Sequence, residues 1–496
     1  MLLLGIDIGT SSIKVSVVDA ATQQNIVSAQ YPDTETAITS NRPGWAEQSP
    51  EMWWEHTQQA IKRAHASGKY NSQDVGAIGI AYQMHGLVVV DKDQEVLRDS
   101  IIWCDSRAVE IGNTAFKQIG EEKSLSHLLN SPGNFTASKL AWVKENEPEV
   151  YSKIHRIMLP GDFIAMKLTG DITTSTSALS EGVFWDFKND EVSADVMSYY
   201  GFEKDLIPEV RPLFSSHGEV KASVAEALGL KAGIPVTYKS GDQPNNALSL
   251  NVLKPGEVAA TAGTSGVIYG VSDQLVYDQQ SRVNTFAHVN YAGGNEKRVG
   301  VLLCINGTGI MNSWVKNTMG VGIGYPAMNS EAAKVNIGSD GLRILPFGNG
   351  AERMLNNKIV GAHFHHLDLN LHSSAHVFRA VQEGIAFAFR YGLDIMRENG
   401  MNPQVIRAGK ANMFLSDLFA SAFVNATQVP VELYHNDGSV GAALGAGIGV
   451  KAFASAEDAF TNMQPKSFIE PGAAEQEQYE TTYQEWKALL LQQLNK

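Results

Sequence analysis

Cysteine is nearly absent. Cys104 and Cys304 are the only two in 496 residues, far too few for a disulfide framework, so a reducing cytoplasm is the expected compartment. Positive charge is also in deficit. Lysine and arginine number 39 against 53 aspartates and glutamates, for a formal net charge of −14. An acidic surface repels nucleic acid and anionic lipid, so neither is an expected partner. A small anion is not excluded, because backbone N–H groups can hold a phosphate locally. No uninterrupted apolar run reaches about 18 residues, so no membrane-spanning helix is expected. Met1-Leu2-Leu3-Leu4 is apolar, but Asp7 interrupts it and no basic region precedes it, so no leader peptide is expected either.

The chain has an ordinary globular composition, 44% hydrophobic and 19% charged. Domains run to about 100–200 residues, so this length implies two large ones. Leu2 to Ile8 reads as a buried strand, and Ile13, Val15 and Val17 alternate with Lys14 and Ser16 as a half-buried one. Ile26 to Ala29 adds a third antiparallel strand. Ser49-Pro50 opens a helix whose apolar stripe is Trp53, Ala60, Ile61 and Ala64. Val75 to Tyr82 is the next strand. Leu159-Pro160-Gly161-Asp162 reads as a turn. A long helix starts at Ser373 or Ser374 and stops at Gly400, and another runs from about Phe414 to Ala426. The run from Gly438 to Ala452 is rich in glycine and alanine, which suits a helix packed very close to a neighbour.

One feature occurs twice. Gly9-Thr10-Ser11-Ser12 joins the first two strands, and Gly263-Thr264-Ser265-Gly266 joins Val258 to Ala262 with Val267 to Tyr269. Two related halves facing one cleft would produce that recurrence, although Gly-Thr-Ser is a common turn. Such a turn presents consecutive N–H groups and hydroxyls, a cradle for terminal phosphates, with Lys14 close enough to add charge. It is not a P-loop, because no Gly-Lys-Ser/Thr follows a four-residue spacer. Asp7 lies inside an apolar strand, where a carboxylate is costly to bury unless it has work to do, such as holding Mg²⁺.

The segment Lys239-Ser240-Gly241-Asp242-Gln243 follows another strand. Asp242 there is either a base for a substrate hydroxyl or a turn aspartate bonded to its own backbone. Trp45-Ala46-Glu47-Gln48, Gln83-Met84-His85-Gly86 and Trp103-Cys104-Asp105-Ser106-Arg107 supply the aromatic faces and polar tips that sugars need. A histidine such as His85 is, on residue type alone, more often a structural hydrogen-bonder. His363, His365, His366, His372 and His376 crowd one stretch, but their spacing matches no zinc motif, and a polar loop is the better reading.

In order and content, Gly5-Ile6-Asp7-Ile8-Gly9-Thr10-Ser11, Trp45 to Gln48, Gln83 to Gly86, Gly241-Asp242 and Gly263 to Gly266 resemble the FGGY carbohydrate kinases, most of all their xylulose kinase branch. The resemblance spans Leu2 to about Val450. It implies an α/β, two-domain, actin-like ATPase fold, ribonuclease-H-like in each half, with a catalytic cleft between the domains. The implied boundaries are 1–247 for a sugar-binding domain and 248–496 for a nucleotide-binding one. ATP and Mg²⁺ are the implied cosubstrate and cofactor. By the resemblance, Asp242 is the base and Asp7 the carboxylate near Mg²⁺. Met84, His85, Gln243, Trp45 and Asp105 lie on the sugar side. Thr10, Ser11, Ser12, Lys14 and Thr264 lie by the phosphates, and Gly309, Gly409 and Asn412 around the adenosine. A homodimer is the expected assembly.

The chain departs from the family at Gln243, where asparagine is usual, at Arg407-Ala408-Gly409-Lys410, where glycines are usual, and at Asn134. The expected activity is phosphorylation of D-xylulose. The alternatives are another ketose or polyol (ribulose, ribitol, glycerol), an actin-like ATPase that phosphorylates no sugar, and a sugar-binding regulator without activity.

Overall fold

The computed structural model describes residues 1–349 and 353–496. Two sheets organise it. The first contains β1 (Leu2–Ile8), β2 (Ile13–Asp19), β3 (Asn25–Tyr31), β4 (Val75–Tyr82) and β5 (Val236–Gly241), in the spatial order β5-β4-β1-β2-β3. β1, β2 and β3 form an antiparallel meander, whereas β4 and β5 run parallel to β1. The second contains β6 (Glu257–Ala262), β7 (Gly266–Ser272), β8 (Asn284–Ala287), β9 (Val299–Ile305), β10 (Val405–Gly409), β11 (Val431–Tyr434) and β12 (Ser467–Ile469). Its order is β8-β9-β7-β6-β10-β11-β12. Within it, β6, β7 and β9 repeat the meander, and β10 and β11 repeat the two parallel strands. The chain therefore builds one strand order twice, and the two Gly-Thr-Ser turns are the same turn in the two copies.

Alternation along β1 explains how helices cover both faces of the first sheet. Leu2, Leu4, Ile6 and Ile8 join the core under α1 (Pro50–Ala66) and the helix Pro160–Thr169, while Leu3 faces the other way. That opposite face is covered by the helix Gly438–Gly449, which comes from the second half of the chain. Glycines let the two backbones meet. A Cβ on Gly5 would stand 1.8 Å from the Ser439 carbonyl oxygen, and one on Gly79 would stand 2.0 Å from that of Ala442. The glycine- and alanine-rich run thus packs against its neighbour as its composition predicts.

The second sheet packs its core face on the helix Ser374–Glu398, whose Val377, Val381, Ile385, Phe389 and Leu393 are all buried. The C-terminal helix Ala473–Leu494 closes the same core with Tyr479, Tyr483, Trp486 and Leu490.

Two expectations about local structure are corrected. Leu159 to Asp162 is the start of a helix, because proline is preorganised for the first helical position and Pro160 occupies it. The helix expected from Phe414 begins instead at Asp417, since the Ser416 side chain caps it by accepting from the Phe419 N–H.

Candidate active site

In open sheets with parallel strands, ligands bind beyond the strands' carboxyl ends. Three candidate segments meet there in the first sheet. Asp7 lies next to the end of β1, Gln83 to Gly86 follow β4, and Asp242 directly follows β5 as the first residue of the helix Asp242–Ser249. Burial, then the negative charge of Asp437, pushes the Asp7 carboxyl up to about 6 against the pull of Lys14. Burial, then the Asp7 charge, pushes Asp242 up to about 7, with the Gln243 N–H pulling the other way. The Asp7 charge thus disfavours ionisation of Asp242, as like charges at one site do. The amino terminus of the helix Gly438–Gly449 also faces Asp7. A Cβ on Gly438 would sit 2.3 Å from Asp7 Oδ2, so only glycine fits there.

Lys14, paired across the strands with Asp7, turns to Asp437 at 3.2 Å. Asp437 in turn caps its helix by accepting from the Ser439 N–H at 3.0 Å. Gly9 closes the first turn by donating its N–H to the Ser12 carbonyl at 3.1 Å, and Ser11 is exposed at the tip. Thr10 is tied down. Its hydroxyl donates to Gln83 Oε1 at 3.2 Å and accepts from Trp103 Nε1 at 3.0 Å.

On the other side of β4, Met84 is buried and His85 adopts a left-handed backbone with φ of 64°. The His85 ring packs between Phe135 and Phe286, with centroids at 4.9 and 5.4 Å. Its Nδ1 meets the Glu181 carbonyl at 3.0 Å. Burial, then the Lys139 charge, holds the His85 imidazole down to about 3, so it is neutral at physiological pH.

Asp105 is 0% exposed, and its oxygens accept from the Ala46 N–H and from the Arg107 guanidinium, which ties the Trp45–Gln48 segment to the Trp103–Arg107 segment. Trp45 does not present an open face. Arg107 lies 3.8 Å and Arg42 4.8 Å from its ring centroid.

In the second copy, Thr264, Gly309 and Asn412 line one cavity of about 450 Å³, together with Met413 and Tyr325. Gly409 ends β10 just before this wall and is not part of the lining. The carbonyls of the second turn are occupied. Gly263 accepts from the Gly309 N–H at 2.9 Å, and Thr264 accepts from the Ile310 N–H at 3.1 Å. The clustered histidines serve the backbone. His363 meets the Val360 carbonyl, and His372 and His376 both reach Asp340. Among the described residues no three His, Cys, Asp or Glu side chains converge to hold a metal ion.

Two family models match this chain. The N-terminal domain of the FGGY family of carbohydrate kinases matches residues 2–249, and the C-terminal domain of that family matches residues 258–450. The chain belongs to the FGGY family of carbohydrate kinases. Among its relatives is a xylulose kinase of Escherichia coli, 28% identical over 97% of this chain and 96% of that protein. A xylulose kinase of Staphylococcus epidermidis is 30% identical over 99% of this chain and 96% of that protein. The crystal structure of xylulose kinase from Rhodospirillum rubrum superposes with a TM-score of 0.88 at 25% identity, covering 99% of both chains. The fold is the two-domain actin-like one that the resemblance implied.

Side chains of the named segments, together with Lys139 and Glu181 from outside them, tie these loops to one another. Gln48 and Gln83 form a buried relay. Gln83 Nε2 donates to Gln48 Oε1 at 3.1 Å, and Gln48 Nε2 donates to the Thr10 carbonyl at 2.8 Å. The Trp45 to Gln48 segment therefore fixes the first turn from behind. Trp103 is 52% exposed and reaches that turn, as its indole bond to Thr10 shows. Lys139 is fully buried and donates to the carbonyls of His85 at 2.8 Å and Ile102 at 3.0 Å. Glu181, 1% exposed, lies under His85. Both segments 83–86 and 103–107 signalled a wall of this kind by their polar residues at the ends of apolar runs. No residue pattern signalled Glu181.

Proposed function

We propose that this carbohydrate kinase transfers the γ-phosphate of ATP to a pentulose, D-xylulose before any other, giving D-xylulose 5-phosphate. The observation that carries the reading is the carboxylate pair at the strand ends. Asp242, whose carboxyl is pushed up to about 7, follows Gly241, and Gly241 packs against Met84 of the turn that carries His85. A base with a pKa near the working pH is the efficient one for taking a hydroxyl proton. Asp242 accepts that proton as the sugar oxygen attacks in line, and Gln243, bonded to the same carboxyl, orients it.

Asp7, with its raised titration and the negative Asp437 behind it, fits a divalent cation. Such an ion prefers one or two carboxylates plus phosphate oxygens to an all-protein cage. Mg²⁺ bound there supplies charge neutralisation along the phosphates. Thr10, Ser11, Ser12 and Lys14 bind the phosphates from the first copy and Thr264 from the second, and Gly309, Gly409 and Asn412 flank the adenosine. Residues 1–247 and 248–496 are the proposed domains, with the helix Gly438–Gly449 reaching back onto the first. The proposed location is the cytoplasm. A homodimer is proposed by analogy alone.

Gln243 favours one second reading, a different ketose or polyol, because it stands beside the base where acceptor hydroxyls must pass. Coupled ADP release with D-xylulose, ribulose, ribitol and glycerol decides between them. The expected outcome is the highest kcat/KM on D-xylulose. Turnover of ATP at one rate whatever the sugar would falsify the proposal.

A further inference from the structure

Glu181 is the last residue of the short helix Thr176–Glu181 and is buried beneath both walls of the sugar side. Its Oε1 accepts the His85 N–H at 3.4 Å, and its own carbonyl meets His85 Nδ1 at 3.0 Å. One residue therefore holds the His85 main chain and ring together, in a backbone conformation with φ of 64° that a histidine adopts only under constraint. The other carboxyl oxygen, Oε2, has no hydrogen-bond partner. It lies against the residue preceding Asp242, since a Cβ on Gly241 would stand 2.5 Å from it and 2.6 Å from Met84 Cγ. An unpartnered buried carboxylate oxygen is costly, whereas a protonated one is far cheaper.

We infer that Glu181 is a positioning residue: it ties the Met84–His85 turn to the strand end that carries Asp242, and it does so as a hydrogen-bonding acid rather than as a charge. This rests on the reading of Asp242 as base and His85 as a sugar-side residue. The groups whose charge bears on Glu181 agree. Burial opposes its ionisation most, with Asp242 and Asp162 adding to it; the His85 N–H bond and then Lys139 favour the charged form but are outweighed, so the carboxyl is held well above its usual range. The phenols Tyr82 and Tyr269 also face it and are themselves held neutral by burial. The carboxyl is thus packed as a fixed spacer between two loops that must stay in register. A displacement of about 1 Å at such a place costs on the order of a hundredfold in rate.

The test is steady-state kinetics of Glu181→Gln and Glu181→Met, with sugar and ATP varied separately. Turnover of the wild type on the sugar panel and its loss in Asp242→Asn test the underlying reading independently. Glu181→Gln keeps the shape and a side-chain oxygen to accept the His85 N–H without a charge, so kcat/KM for the sugar should stay within about threefold. Glu181→Met keeps the volume but leaves the His85 N–H unpaired, so kcat/KM for the sugar should fall by about 30-fold with the KM for ATP unchanged. A loss in Glu181→Gln as large as in Glu181→Met overturns the uncharged role. A normal kcat/KM for the sugar in Glu181→Met, or equal damage to the KM for ATP, overturns the positioning role. Should Glu181→Met not fold, Glu181→Ala, which leaves room for water, is read by the same criteria.

Discussion

Each copy of the strand unit has an aspartate after its last parallel strand, one as the first residue of the following helix and the other as that helix's cap. In the first copy it is Asp242, after β5; in the second it is Asp437, after β11. Their surroundings differ in one respect. Asp437 caps its helix and pairs with Lys14, so its charge is compensated. Asp242 has the Asp7 charge as its strongest neighbour and is driven up to about 7. The first turns differ in the same way. Asp7 and Lys14 of the first copy correspond to Thr261 and Ile268 of the second, counted from Gly9 and Gly263. One fold unit thus carries the two raised carboxylates, and its duplicate carries the cavity lined by Thr264, Gly309 and Asn412. The lesson is that the backbone fixes where a carboxylate stands, while the nearest cation decides whether it can act as a base.

The largest expected effect concerns what holds the first copy's strand in place. Lys239, on β5, donates to buried Asp162 at 2.6 Å, whereas strand register places the apolar Leu433 at the corresponding position of β11. Lys239→Met leaves a buried carboxylate unpaired and should cost about 3–5 kcal/mol in denaturant unfolding. A cost below about 1 kcal/mol would remove that asymmetry.

Next come the aspartates themselves. Asp242→Asn should lower kcat by more than about a hundredfold with the fold intact. Asp437→Asn keeps a capping side chain and loses only the part-exposed pair with Lys14, so it should cost less than about 1 kcal/mol of stability and a few-fold in rate. Equal losses would abolish the distinction between the two copies.

Third is the residue after each aspartate, Gln243 in one copy and Gly438 in the other. Gly438→Ala drives a methyl group into Asp7 and should lower kcat/KM by about tenfold or more. The smallest effect is thermal. Asp242 titrates higher in the folded chain than in the unfolded one, so between about pH 4 and 7 the folded state binds the extra proton and stability falls as pH rises. Asp242→Asn should therefore melt about 1–2 °C above the wild type at pH 8, and the gain should vanish near pH 4.

Much of the fold could be read from residue pattern, because period-two alternation and the Ser49-Pro50 and Ser373 caps act locally. The first sheet and the long helix from Ser374 follow from that alone. The repeat was visible only as Gly-Thr-Ser twice. Its proof lies in strand order, which is a non-local property. The site was half legible. Asp7 was conspicuous as a charge in an apolar strand, and the resemblance supplied Asp242 and His85. The contacts of Asp105 and Trp45 with Arg107 were not legible, because stacking and burial are not encoded by spacing along the chain. Glu181 was invisible for the same reason, since nothing in Ser177 to Gly182 marks it until His85 is laid over it.

The most direct test of the comparison is the pH dependence of kcat/KM for the sugar. The account predicts a rise of tenfold per unit up to a bend near pH 7, followed by a plateau, because Asp242 must be ionised to accept the proton. A profile that is flat from pH 5.5 to 8, or one that keeps the same bend in Asp242→Asn, would contradict it.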